Sequence, residues 1–116
     1  MSDRKYMSQN DPGDIQVTQT TASLTNGVAA TGPGGNANRI GVGLALVSTG
    51  GFPSGAVASI RIKASDLSAA LVSVSHETPY AYITVEQYGQ ALMGTLFLSC
   101  TGDDCVVCVN DVYRVR

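Results

Sequence analysis

From residue 15 onward, apolar and polar positions alternate along most of the chain. In "IQVTQT", Ile15 and Val17 alternate with polar neighbours, the period-two pattern of a strand. "RIGVGLALVST" is sharper still. Ile40, Val42, Leu44 and Leu46 share one face, while Gly41, Gly43, Ala45 and Val47 share the other. Glycine weakens a strand, so a bare face predicts that something packs closely on it, as on a central strand between two layers. "AVASIRIK" puts Ile60 and Ile62 on one face and Arg61 and Lys63 on the other, a strand apolar inside and basic outside. "LVSVSHE" follows and ends at Pro79. "YAYITVEQ" sets Ala81, Ile83 and Val85 against Tyr80, Tyr82, Thr84 and Glu86. "ALMGTLFLSC" and "CVVCVNDVYRVR" read as the final strands.

Breakers fall between these runs. Asn26-Gly27 is a favoured two-residue hairpin turn, and "TGPGGNAN" and "TGGFPSG" are loops. "ASDLSAA" has room for one helical turn capped by Ser65. The tally is about eight strands with turns roughly every 8–12 residues. The expected fold is all-β, an antiparallel β-sandwich or jelly-roll-like barrel. Residues 1–14 hold charges, Asn10, Pro12 and Gly13 but no apolar period. They read as a flexible N-terminal arm before a single β-sandwich domain over 15–116.

Composition sharpens this picture. The chain has 116 residues, enough for one core, and only 14% are charged. Net charge is −2, and the 7 Lys and Arg are scattered, which sets nucleic-acid binding aside. No apolar run approaches the ~20 residues of a bilayer span, and no secretory h-region opens the chain. The expected setting is cytoplasmic, with assembly there into something larger. No membrane partner is expected.

"CTGDDCVVC" contains all 3 cysteines. If "TGDD" is a hairpin loop, Cys100 faces Cys105 across the strands and Cys108 points to the other side. Three thiols then cannot converge on one ion, and a ferredoxin-type cluster lacks its fourth cysteine. A Cys100–Cys105 bridge is sterically open, but free buried cysteines are the favoured reading. A turn at Asn110-Asp111 is a second way to lay out this segment.

Other chemistry is sparse. His76 is the only histidine, and no G-x-S-x-G elbow accompanies it. Asp103 and Asp104 are too few oxygens for calcium. "GPGG" and "GVG" lack the Lys-Ser/Thr of a phosphate loop. No cofactor, metal site or catalytic residue is expected. Tyr80 and Tyr82, by contrast, share an outward face suited to a protein partner or a sugar. From Ile15 to Ile60 the only charge is Arg39. A neutral surface is desolvated at low cost, as interface cores are.

The arm "MSDRKYMSQNDPGD", the loop "TGPGGNANRIGVG" and the tail "TLFLSCTGDDCVVCVNDVYRVR" together resemble the small all-β virion proteins of bacteriophages, the head decoration or cement class. That resemblance implies a non-enzymatic structural protein, a homo-oligomer (often a trimer) that clamps other structural proteins of a particle. It also implies a virion location after assembly in the host cytoplasm. The candidate interface residues are Tyr80, Tyr82, Arg39, Asn36 and Asn38. The alternative function is a carbohydrate-binding β-sandwich module using Tyr80 and Tyr82.

Overall fold

The computed structural model describes residues 14–47, 55–64 and 69–115. Of the expected arm, only Asp14 falls among them, and Ser65 with its expected helical turn lies outside. The described strands are β1 (Asp14–Leu24), β2 (Ala30–Thr31), β3 (Arg39–Leu46), β4 (Val57–Arg61), β5 (Ala70–Ser75), β6 (Tyr80–Thr84), β7 (Phe97–Thr101) and β8 (Cys105–Val115). They form two four-stranded sheets, in the orders β1-β8-β3-β6 and β2-β7-β4-β5. Strand pairing is antiparallel throughout both sheets. This is an all-β sandwich with the strand order of a jelly roll. No helix among the described residues is long and apolar enough to cross a membrane.

The core lies between the sheets. The first sheet contributes Val42, Leu44, Leu46, Ile83, Val107 and Val109, and the second contributes Ala58, Ile60, Val74, Leu98 and Cys100. Burying each Leu or Ile side chain contributes roughly 1.5–3 kcal/mol. Leu92 and Leu96 are fully buried as well. They come from the segment after β6, where a short helix α1 (Val85–Tyr88) runs into a 3-10 turn (Gly89–Met93). The sequence pattern assigned Val85 to the preceding strand and residues 91–93 to the next one. A capping box ends the strand instead: Thr84 Oγ1 accepts from the Gln87 amide, and Gln87 Oε1 accepts from the Thr84 amide.

The pairing of consecutive strands differs from expectation at two turns. Asn26-Gly27 does not close a hairpin, because β1 pairs with β8 while β2 pairs with β7. The turn carries the chain from one sheet to the other, with Gly27 at φ 80° and the Val28 amide donating to the Thr25 carbonyl. Residues 101–104 likewise link the two sheets, so β7 and β8 are not a hairpin. Asn110 and Asp111 sit inside β8, not in a turn. Arg61 keeps its expected place on the face opposite Ile60 but is not exposed there. β4 has a register shift at Ile60/Arg61, and Arg61 is buried with its Nε donating to Ser99 Oγ at 2.7 Å.

The bare face of β3 has a specific cover. Gly41 and Gly43 lie beneath the Tyr82 and Tyr80 side chains of β6, not beneath a second sheet. A Cβ at Gly41 would overlap the Tyr82 hydroxyl and meet the Ile83 carbonyl oxygen at 2.6 Å. At Gly43 the nearest atom is the Tyr80 hydroxyl at 3.0 Å, the movable end of an exposed side chain. Gly41→Ala should therefore destabilise the fold by about 1–3 kcal/mol, because a backbone carbonyl cannot step aside. Gly43→Ala should cost less. Urea unfolding of both variants measures the difference.

Candidate functional site

β1 is a strand of eleven residues, and every one of them pairs with β8, from Asp14↔Val115 to Leu24↔Cys105. It is the outer strand of its sheet, so its other edge presents backbone N–H and C=O groups that no strand among the described residues pairs. Such edges are normally blunted by Lys, Pro, a bulge or a covering segment. From Ile15 to Leu24 the strand has no charge and no proline. Its register with β8 runs without a shift. The opposite side of the sandwich is treated differently. There β5 turns tightly into β6, with reciprocal bonds between Ser75 and Thr78, and the Tyr88 hydroxyl of α1 donates to the Leu71 carbonyl of β5 at 3.2 Å.

Alternation assigns the side chains of β1 to two faces. Ile15, Val17, Gln19, Thr21 and Ser23 lie on the outer face, in register with Arg114, Val112, Asn110, Cys108 and Val106 of β8. Ile15 is 59% exposed and Val17 56%, the highest values among the exposed large hydrophobics. Tyr80 (52%) and Tyr82 (41%) stand on the same outer face, on β6, three strands on from β1. Burial, and then the neighbouring Tyr80, raise the Tyr82 phenol above its usual value.

The inner face of the β1–β8 ribbon borders a cleft of about 450 Å³. Thr18, Thr20, Val109, Asp111 and Tyr113 form one wall, and Pro33, Gly34 and Asn36 of the β2–β3 loop form the other. Thr18 Oγ1 and Tyr113 Oη are hydrogen-bonded at 2.8 Å.

Arg39 holds that loop in place. Its side chain is fully buried, and its guanidinium reaches Asp111 Oδ1 at 2.7 Å through Nε and Oδ2 at 3.1 Å through Nη2. The remaining donors go to the carbonyls of Leu92 (2.7 Å), Gly94 (2.8 Å) and Gly34 (2.6 Å). Every N–H of the group thus has an acceptor. One side chain ties together β3, β8, the 3-10 turn and the β2–β3 loop.

The candidate interface residues therefore separate. Tyr80 and Tyr82 are exposed on the outer face. Asn36 lines the cleft, and its Oδ1 accepts from the amide of Asn38, which is exposed. Arg39 is internal and offers no contact surface. Its burial had no local signal, because the groups that satisfy it include Asp111, Leu92 and Gly94, all distant in sequence. The β1 edge was visible as a strand, but its position at the edge was not.

The cysteines do not meet across a hairpin, yet two of them are neighbours. Cys100 of β7 and Cys105 of β8 are both buried, and their side chains hydrogen-bond to one another between the sheets. Both are free thiols. Burial pushes the Cys105 thiol up to about 12, with the charges of Cys100, Asp104 and Asp103 adding to it. Burial raises Cys100 as well. Cys108 lies on the outer face, where Gln19 Nε2 donates to its sulfur at 2.7 Å. Asp103 and Asp104 are exposed, and Asp104 Oδ1 accepts from the Asn26 amide at 2.8 Å, bracing the β1–β2 turn. His76 is exposed in the β5–β6 corner. Among the described residues no group of three His, Cys, Asp or Glu side chains is placed to hold a metal ion.

No protein-family model matches the chain, and no curated protein matches it either. Among solved structures it is similar to a chain of the Bacillus endospore appendages, described as a novel family of disulfide-linked pili. The two share 15% identity over 96% of this chain and 99% of that one, with a TM-score of 0.42. A likeness this distant carries no function across.

Two outcomes follow from this geometry. Arg39→Met should cost about 3–5 kcal/mol, because it leaves the Asp111 carboxylate and three carbonyls without donors, whereas Arg39→Met with Asp111→Leu should recover part of that loss. Denaturant melts of the single and double variants test it. The second concerns pH. The raised thiols favour the folded state fully below pH 9, their ordinary value, and lose that contribution as pH rises toward about 12. Stability should decline across that window, and Cys105→Ala should flatten the decline, with Cys100 and Tyr82 supplying the remainder.

Proposed function

We propose that this is a non-enzymatic structural protein that works by protein–protein contact, as one subunit of a homo-oligomeric assembly. The observation that carries this reading is the β1 edge: eleven residues whose outer side no strand among the described residues pairs, neutral from Ile15 to Leu24, with Ile15 and Val17 exposed on its outer face. An edge of that length and neutrality is a ready template for another strand. The finer form of the proposal is a virion component that decorates or cements a capsid, the class the sequence resembles. The polar partners of such a protein are other structural subunits of the particle, with contacts spread over the outer face that bears Tyr80 and Tyr82.

One observation favours a second reading. Tyr80 and Tyr82 rest over glycines with more than a third of their surface open, which suits stacking against a sugar ring. In that reading the protein is a carbohydrate-binding sandwich module.

Light scattering separates the two. The assembly reading expects a solution mass at a multiple of the chain's 12.0 kDa. A particle of 12.0 kDa at every concentration, combined with glycan-array binding abolished by Tyr82→Ala, would replace it with the sugar reading.

A further inference from the structure

We infer that two copies of this chain join edge to edge through β1, antiparallel about a twofold axis at Val17, so that their first sheets become one continuous sheet. The inference rests on the assembly reading and specifies the contact. Three observations select a second copy in this arrangement.

The first is charge. A twofold axis brings a strand against itself, and any charge near the axis then faces its own copy, which is unfavourable. About Val17 the described residues that pair run from Asp14 to Thr20. Ile15 to Thr20 contains no charge, and Asp14, at the end of the span, faces Thr20 and not its own copy, so self-pairing meets no such opposition. The second is the apolar pair. With Val17 on the axis, Val17 faces Val17 of the second copy and Ile15 faces Gln19. Because pairing partners then share parity, the side chains of each face stay on that face. The two most exposed large hydrophobics of each copy gather into one cluster beside Val112, which is in register with Val17 on β8. A register that overlaps the whole strand would instead set Ile15 and Val17 against Ser23 and Thr21, leaving the cluster unmade.

The third is the far edge. Head-to-tail growth would need β1 of one copy to dock on β2, β5 or β6 of the next, and β2 is only two residues long. β6 is five residues long and ends at the Thr84 capping box, and the β5 carbonyl of Leu71 is already engaged by Tyr88. The self-paired edge closes on itself, whereas the head-to-tail edge would leave an unlimited polymer.

A charge-swap experiment on the full chain tests the arrangement. Val17 is half exposed on an edge strand, so Val17→Lys and Val17→Glu should fold, as circular dichroism will verify. Each variant alone places like charges on the axis and should halve the wild-type solution mass. Mixing the two in equal amounts should restore it, because lysine then faces glutamate. Val28→Lys, an equally exposed site away from the edge, should leave the mass unchanged. If wild type assembles but Val17→Lys leaves its mass intact, or if the mixture fails to recover, this pairing is wrong and the assembly reading survives. An open-ended series of masses also overturns the pairing. A wild-type mass of 12.0 kDa at all concentrations removes both.

Discussion

Backbone hydrogen bonding along β8 is the constraint on which the rest of the molecule depends. A buried N–H or C=O without a partner is costly, so a strand inside a sheet must be paired on both sides. β8 meets this with β1 along one side and β3 along the other. Its inward side chains, Cys105, Val107 and Val109, are thereby held over the second sheet and close the core. β1 receives its partner from β8 and returns none outward. That β1 has no second partner among the described residues is therefore a direct consequence of how the first sheet is built.

The interior of the sandwich explains why that edge can be long and still well ordered. Arg39 anchors the end of the sheet where sheet-to-sheet packing gives way to the cleft. With all its donors engaged, the guanidinium fixes the β2–β3 loop and the 3-10 turn against Asp111 in β8. At the other end, the β1–β2 turn is bound to the β7–β8 connection through Asp104 and through the bond from the Gly27 amide to the Cys100 carbonyl. Both ends of the β1–β8 ribbon are thus braced by polar contacts that run between segments far apart in sequence. Order in the strand lowers the entropy lost when a partner pairs with it.

The outer face follows from the same layout. β3 needs glycine because the tyrosines of β6 fold across it, which keeps Tyr80 and Tyr82 in register over Gly43 and Gly41. The result is a surface of hydroxyls, amides and aromatic edges, with an apolar pair and Arg114 at its margin. Such a surface gives up little hydration when covered.

Strand existence, strand faces and the inward set of β3 were legible in the sequence, because side-chain alternation is a local property with a period of two. Val42, Leu44 and Leu46 are inward for that reason alone. Which strand pairs with which was not legible, and both expected hairpins, at Asn26-Gly27 and between Cys100 and Cys105, proved to be passages between sheets. Turn chemistry fixes the local bend, but the sheet a strand joins depends on partners as distant as Val115 is from Asp14. The same limit hid the burial of Arg39 and the meeting of Cys100 with Cys105, since each needs two segments brought together by the completed sandwich. Local alternation determined a β protein whose first strand is uncharged from Ile15 to Leu24; only long-range backbone pairing decided that β1 would be the strand with one side unpaired among the described residues.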